Sequence, residues 1–365
     1  MKYTMNKILT IIIPTYNMEK YLRRCLDSLI IDEEGMKQLE VLVINDGSKD
    51  SSSQIAHEYQ DKYPDTYRVI DKENGNYGSC INRGLKEAIG KYVKVLDADD
   101  WFENATFNLF LKYIRKVDVD LILSSCIIVD ESGNKHGKFG VPFGWALKTY
   151  SIDTINNEKK ASIQMHCVTY KTDIIKDINY VQLEGISYTD QLWVTYPMSV
   201  VKTYSVFDRN LYMYLVGRNG QTMETAVQNK KFNDEIKVTD QIISWIKESP
   251  KNNINYEFIQ QKMISRIEYL YDNHCNWGLY DEKEFRAFSN HLKYEIPEIM
   301  EIAESRCGNN KEDNFILKYN NSSLSIVADI KERQNLDKSK NGSILKKGIK
   351  KILKTINYLI LTYNV

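Results

Sequence analysis

Four short apolar runs, each closed by acids, amides or glycine and each followed by a helical repeat, constrain this chain more than any other feature. The runs are residues 8–13, 39–44, 67–70 and 92–96, and the helical segments after them are 18–31, 51–62, 77–89 and 105–116. Short β-rich runs alternating with apolar residues at 3–4 spacing predict strand–helix units. A fifth strand is expected at 121–129. Strands that are apolar on both faces need cover on both, so the expected class is α/β, a mostly parallel sheet flanked by helices.

In such sheets a ligand sits beyond the carboxyl ends of the strands. Here those ends read Pro14-Thr15-Tyr16-Asn17, Asn45-Asp46-Gly47-Ser48, Asp71-Lys72-Glu73-Asn74-Gly75-Asn76 and Asp97-Ala98-Asp99-Asp100. Asp97 and Asp99, two apart in an extended segment, can project from one edge, and hard carboxylate oxygens so arranged suit Mg2+ or Mn2+ bridging a diphosphate. Each stretch alone also reads as a turn or a helix cap. Their joint order is what points to a site. The G-x-G-x-x-G run of a dinucleotide-binding dehydrogenase is absent after the first strand. The acidic pair of a phosphoreceiver domain is absent there too.

From 131 to 225 the pattern is less regular, with a Gly-rich stretch at 133–144, a strand expected at 165–170, a helix around 190–198 and two strands flanking Asp208-Arg209-Asn210. Beyond Val227 the periodicity is helical over 232–247, 255–275 and 281–294. The expected domains are therefore 1–225, a helical appendage at 226–330, and a tail at 331–365. That tail holds nine Lys/Arg against two acids, leaving 40 bases and 47 acids in the preceding residues. Within it, 344–361 has apolar residues at 3–4 spacing interleaved with five lysines, the pattern of an amphipathic helix that lies on an anionic membrane surface.

The 49 basic and 49 acidic side chains of the whole chain cancel, which argues against a nucleic-acid partner. Cys25, Cys80, Cys126, Cys167, Cys275 and Cys307 are scattered without a C-x-x-C pair, so neither a disulfide framework nor a zinc site is indicated. The first apolar run is too short for a secretory leader, and no window of 18 apolar residues exists for a spanning helix. The expected location is the cytoplasm, either free or peripheral on the inner face of the plasma membrane.

The series TIIIPTYN (10–17), EVLVINDGSKD (40–50), KENGNYGSCINRGL (72–85) and KYVKVLDADDWF (91–102) resembles the nucleotide-binding half of the family 2 glycosyltransferases, which have the GT-A fold. A looser resemblance continues through MHCVTYKTDII (165–175), EGISYTDQLW (184–193) and YLVGRNGQTM (214–223). The resemblance implies an inverting enzyme of the bacterial cell-surface polysaccharide type, moving a sugar from a nucleotide-diphosphate sugar, expected to be a UDP-sugar, to a glycan acceptor, lipid-linked or otherwise. It places Pro14, Tyr16, Asn17 and Asp46 at the nucleobase and ribose. Asp97 and Ala98 then face the ribose or metal, with Lys72 and Asn82 near the nucleotide. Asp99 is the implied main ligand for Mn2+ or Mg2+, with Asp97 or Asp100 competing. An acceptor carboxylate at the base edge takes the imide N–H of a uracil, so Asp46 fits recognition rather than proton transfer.

In that family an acid–acid pair at a helix start supplies the general base. Here the segment reads Ser187-Tyr188-Thr189-Asp190-Gln191, so Thr189 replaces the first acid and Asp190 is the expected base. Arg218 and Gln221 are expected to close over the donor diphosphate, and His166, on a strand, is either structural or an acceptor contact. The other readings that fit are a transferase extending glycans on protein hydroxyls and a non-catalytic accessory subunit.

Overall fold

The computed structural model describes residues 7–140, 149–155, 163–218, 225–251, 253, 255–307 and 314–321. The tail at 331–365 and Gln221 lie outside the described residues. The chain divides into two compact units, the first reaching Val216 and the second beginning at Gly217.

The first unit is built on one sheet. Its strands are β1 (Leu9–Thr15), β2 (Leu39–Asn45), β3 (Tyr67–Asp71), β4 (Tyr92–Val95), β5 (Trp101–Phe102), β6 (Leu121–Asp130), β7 (Lys135–Phe139), β8 (Thr149–Ser151), β9 (Val168–Lys171) and β10 (Thr203–Val216). The main path runs β3-β2-β1-β4-β9-β6-β10-β5, with β7 on β6 and β8 on β10. β3, β2, β1 and β4 are mutually parallel, as are β6 and β10, whereas β9 runs antiparallel to both of its neighbours. β1 and β2 are buried along their whole lengths, as their largely apolar sequences require of strands covered on both faces, and the polar Thr10 and Glu40 within them satisfy each other by a 2.6 Å hydrogen bond.

β1 is central, with the chain leaving it to β2 on one side and β4 on the other. The strand order reverses at β1, and the carboxyl ends of strands at such a point are where open α/β sheets place a ligand. Pairing of β1 with β4 ends at Ile12↔Val95, so the missing N–H of Pro14 faces a side on which the ladder has already stopped.

The helices of this unit are α1 (Leu22–Asp27), α2 (Glu33–Gln38), α3 (Ser52–Lys62), α4 (Asn76–Glu87), α5 (Asn104–Ile114), α6 (Thr172–Asp177) and α7 (Asp190–Thr195). α4 lies against β1 so closely that a Cβ on Gly84 would sit 2.6 Å from Ile12. Three expectations need correction. The helix expected over 18–31 ends at Asp27, because the Asn104 amide takes the Ser28 and Ile30 carbonyls and turns the chain toward α2. The two strands expected around 208–210 are one strand, β10, whose register against β6 shifts between Val206 and Tyr212. Residues 165–167 form a 3-10 turn ahead of β9, so His166 is not on a strand.

The second unit is helical, comprising α8 (Thr225–Lys230), α9 (Phe232–Glu248), α10 (Tyr256–Trp277), α11 (Glu282–Glu295), α12 (Pro297–Arg306) and α13 (Phe315–Asn321). Its core is aromatic: Phe232 stacks on Tyr280 at 4.1 Å and the His274 ring on Phe285 at 4.0 Å. The one guanidinium–carboxylate pair that is deeply enclosed among its described residues joins Arg266 to Glu235 at 2.6 Å. Among the described residues, no helix is long and apolar enough to cross a membrane. All six cysteines are buried, and none is joined in a disulfide.

Candidate active site

The carboxyl ends of β1 and β2 are sewn together by side chains from their own loops. Asn17 adopts the left-handed conformation (φ 54°), which an asparagine tolerates, and its Oδ1 accepts the Lys49 N–H at 2.8 Å. Its own N–H donates to Ser48 Oγ at 3.1 Å. Beside it Tyr16 stays 45% exposed at the rim, an aromatic face available to a planar ligand. Asp46 is buried at the end of β2, where its Oδ1 accepts the Lys72 ammonium at 2.5 Å and the Gly75 N–H at 2.9 Å. Lys72 also donates to Ser79 Oγ at 2.8 Å. Gly47 lets these two loops close, since φ is +72° and a Cβ would press on the Lys72 carbonyl and the Asn74 amide at 3.3 Å.

Beyond β4 the acids gather. The Tyr77 hydroxyl donates to Asp97 Oδ1 at 2.9 Å, and the Asp97 N–H donates to the Tyr212 hydroxyl oxygen at 3.1 Å. Asp100 folds back so that its N–H donates to the Asp97 carbonyl at 3.0 Å. Its own carboxylate, 1% exposed, accepts from the Tyr212 hydroxyl at 2.8 Å and from the Leu215 N–H at 2.7 Å. Burial, then the charges of Asp99 and Asp97, holds the Asp100 carboxyl well above the usual range. Burial and neighbouring carboxylates likewise push the Tyr77, Tyr212 and Tyr214 hydroxyls up. Asp99 is buried behind α1, with its carbonyl accepting from Arg24 at 2.9 Å while that guanidinium stacks 3.7 Å from the Trp101 ring. Ala98, enclosed between the acids, leaves room for their backbone to turn.

His166 comes to this cluster from the turn before β9. Its ring packs against Tyr212 at 4.9 Å and Tyr214 at 4.6 Å, and its Nδ1 is enclosed without a hydrogen-bond partner. Lys94, fully buried in β4, donates to the His166 carbonyl at 2.7 Å and the Val168 carbonyl at 3.1 Å. Burial first, and the Lys94 charge second, lowers the His166 imidazole to about 3, so it is neutral. Burial alone brings Lys94 down to about 8. Asp97, Asp100 and His166 each offer a ligand atom within 4.8 Å of the other two, and Asp99 is not in that group. Two carboxylates and an imidazole are donors that a divalent ion of the Mn2+ type accepts.

Asp190 is the first residue of α7, a helix fixed from below by the buried Leu192 and Trp193. Its Oδ2 accepts from the Gln191 amide at 2.9 Å, and its charge acts on Tyr77 and Tyr214, two of the hydroxyls on which the Asp97 charge also acts. Tyr188, two residues earlier, has φ +62°, a conformation costly for a residue with a bulky side chain. Thr189 is buried, its Oγ1 without a partner.

Tyr16, Asn17, Asp46 and Lys72 thus lie at the ends of β1 to β3; Asp97, Asp100 and His166 form a second group joined by tyrosines, and the charge of Asp190 acts on two of the tyrosines beside it. Asn82 is engaged elsewhere: its amide donates to the Gln182 carbonyl and Glu184, and its Oδ1 accepts the Gln182 N–H, so it holds 182–184 on α4. Arg218 falls in the helical unit. Sequence reasoning missed Tyr77, Tyr212, Lys94 and Arg24. A lysine in the middle of the run Tyr-Val-Lys-Val-Leu was a visible signal, as was the Tyr-x-Tyr spacing at 212 and 214 that puts both rings on one face.

Residues 10–178 match the model of the family described as glycosyl transferase family 2. The minor teichoic acid biosynthesis protein GgaB of Bacillus subtilis is 28% identical over 296 residues, covering 76% of this chain and 31% of GgaB. The poly(ribitol-phosphate) beta-N-acetylglucosaminyltransferase TarS of Staphylococcus aureus is 27% identical over 256 residues, covering 69% of this chain and 44% of TarS. The chain therefore spans less than half the length of either relative. The crystal structure of TarS 1–349 in complex with UDP-GlcNAc superposes with a TM-score of 0.63 at 21% identity, over 82% of this chain and 84% of that one. A mannosyltransferase of Pyrobaculum calidifontis, solved with GDP-Man and Mn2+, gives a TM-score of 0.52 at 14% identity, over 98% of this chain and 86% of that one. These two structures share the fold, a mixed α/β sheet with flanking helices followed by a helical region.

Proposed function

Starting from a chain whose residues 10–178 form a glycosyl transferase family 2 domain, we propose that it transfers a sugar from a UDP-sugar to a hydroxyl of a cell-surface glycan precursor, with inversion at the anomeric carbon. The observation that supports the reading is that the Tyr77 hydroxyl, which donates to Asp97, also feels the charge of Asp190, as expected of a base beside a diphosphate-handling cluster. Asp46, held by Lys72 and Gly75, takes the donor hydrogen of the uracil edge, and Tyr16 supplies a stacking face. The UDP-GlcNAc complex of the TarS fold relative supports that choice of nucleotide.

Asp190 accepts the proton of the incoming hydroxyl as that oxygen attacks the anomeric carbon, and the sugar–diphosphate bond breaks on the opposite side. Tyr77 and Tyr212 orient the Asp97 and Asp100 segment. Asp97, Asp100 and His166 are chemically suited to hold Mn2+ or Mg2+, which when bound offsets charge on the leaving diphosphate. The basic segment 344–361 is proposed, on its sequence alone, to bring the enzyme to an anionic membrane where a lipid-linked acceptor would lie. Salt-sensitive sedimentation with anionic liposomes, lost in a chain ending at Asn341, is the expected result for that segment.

A screen of the purified full chain against a panel of nucleotide sugars tests the main reading. Release of UDP from one member, with product of inverted anomeric configuration by NMR, is expected. Failure to bind any nucleotide sugar, or retention of configuration, would overturn it.

A further inference from the structure

We propose that His166 is a direct ligand of the divalent cation, completing a set with Asp97 and Asp100, and that Lys94 is the residue that positions it. The inference rests on the glycosyl-transfer reading only in supposing that a cation accompanies the nucleotide; the assignment of the imidazole comes from the geometry of this chain.

Four observations converge. The three side chains can each bring a donor atom within 4.8 Å of the other two, the spacing a single ion needs. The carboxylates are already oriented by hydrogen bonds from outside the group, Asp97 by the Tyr77 hydroxyl and Asp100 by the Tyr212 hydroxyl and the Leu215 N–H. Each bond occupies one lone pair of its oxygen and leaves another for a cation. Such outer partners are what fix the ligands of a metal site. The third observation is the enclosed Nδ1 of His166, which lacks any partner. A buried ring nitrogen left unpaired is costly, and a ligand bond or a relocated proton is what removes that cost.

The fourth is how the ring is held. Tyr212, Tyr214 and Phe139 bracket it at 4.6–5.3 Å, and the backbone beneath it is tied to β4 by the Lys94 ammonium through two carbonyls. Burying an ammonium against two carbonyls rather than a carboxylate costs desolvation. Its bonds go to the turn that carries His166, so its structural effect is to set the height of that ring over the acids. An acceptor-contacting histidine would need neither the enclosure nor the neighbouring carboxylates.

Mn2+ added to the full-length protein with UDP, followed by pulsed EPR, reads the ligand directly. Histidine coordination is expected to appear as nitrogen-14 modulation of the Mn2+ signal, and His166→Gln is expected to abolish it. Mn2+ affinity in the same variant should fall by about tenfold or more, with an unchanged thermal melt confirming that the fold persists. Lys94→Met should keep the modulation while weakening Mn2+ by about 10–100-fold, the range found for outer partners of metal sites. Bound Mn2+ without nitrogen modulation, or modulation that survives in His166→Gln, overturns the ligand assignment and leaves glycosyl transfer standing. No Mn2+ binding in the presence of UDP, together with full UDP-sugar turnover in chelator, overturns the cation site and again leaves the transfer reading intact. Absence of any nucleotide binding would instead tell against glycosyl transfer itself.

Discussion

The Asp100 carboxylate accepts the backbone N–H of Leu215 at 2.7 Å, joining the end of the acid triplet to the last residues of the longest strand. The two residues are far apart in sequence, and each is buried. Their bond means that the acids cannot move as a free loop: the backbone of β10 and that of 97–100 are held in one arrangement, with Tyr212 reinforcing it through a second bond to the same carboxylate.

Asp100→Ala therefore leaves the Leu215 N–H and the Tyr212 hydroxyl without their buried acceptor. A loss of about 2–4 kcal/mol is expected from two such groups. Tyr212→Phe should cost about 1–2 kcal/mol, and the double variant less than the sum, because both remove the same contact. Urea denaturation gives all three values; strict additivity would show that the bond does not couple the two segments.

Asp190→Asn should lower turnover about 10²–10⁴-fold, the usual size of general-base assistance, while UDP affinity stays within a factor of about two. Calorimetry and a coupled UDP-release assay separate the two effects. Wild-type turnover in this variant would remove Asp190 from the mechanism.

Lys72→Met deprives Asp46 of the ammonium it contacts at 2.5 Å and leaves that buried carboxylate with less compensation for its charge. UDP affinity should fall by about 10–100-fold, through loss of the oriented acceptor for the uracil edge. The variant should discriminate less between UDP and CDP, whose ring nitrogen at that position is an acceptor. Unchanged selectivity would place base recognition elsewhere.

Glu268, buried on α10 with its Oε2 unpaired, has its carboxyl raised to about 7 by burial, against the partial opposition of Arg306 at 3.6 Å. The folded state therefore holds a proton between about pH 4.5 and 7 that the unfolded chain has released, and stability falls as pH rises through that window. Glu268→Gln should melt higher than wild type at pH 8, by about 2–3 kcal/mol of stability, with the gap closing toward pH 4.5. A gap that does not narrow on acidification would rule out this ionisation as its source.

What the sequence made legible was local. Strands β1 to β4 and β6 announce themselves by β-rich apolar runs, and α3, α4, α5, α9, α10 and α11 by their periodicity, because each signal lies within the element itself. β5 and β8, two and three residues long, are too short to show a period and exist through pairing with the distant β10. The same limit applied to the acids. That Asp100, rather than Asp99, turns toward Asp97 and His166 depends on the turn closed by the Asp100 N–H and on bonds to Tyr212 and Leu215, over a hundred positions away. The length of the helix at 18–31 was similarly decided by Asn104, a residue outside it.

The place of β9 in the sheet bears on how the chain is made. The partner of β4 on one edge, β1, precedes it in the chain, but its other edge is closed only by β9, roughly 75 residues later, and β6, made in between, is paired on the far side of β9. At about 5–20 residues per second of synthesis, that edge stays open for several seconds on the ribosome. An apolar edge of this kind invites pairing with other nascent chains, and an ammonium in its middle discourages it. Lys94 occupies that position in β4, so the charge later capped by the His166 and Val168 carbonyls also guards the half-built sheet while its neighbour is still being translated.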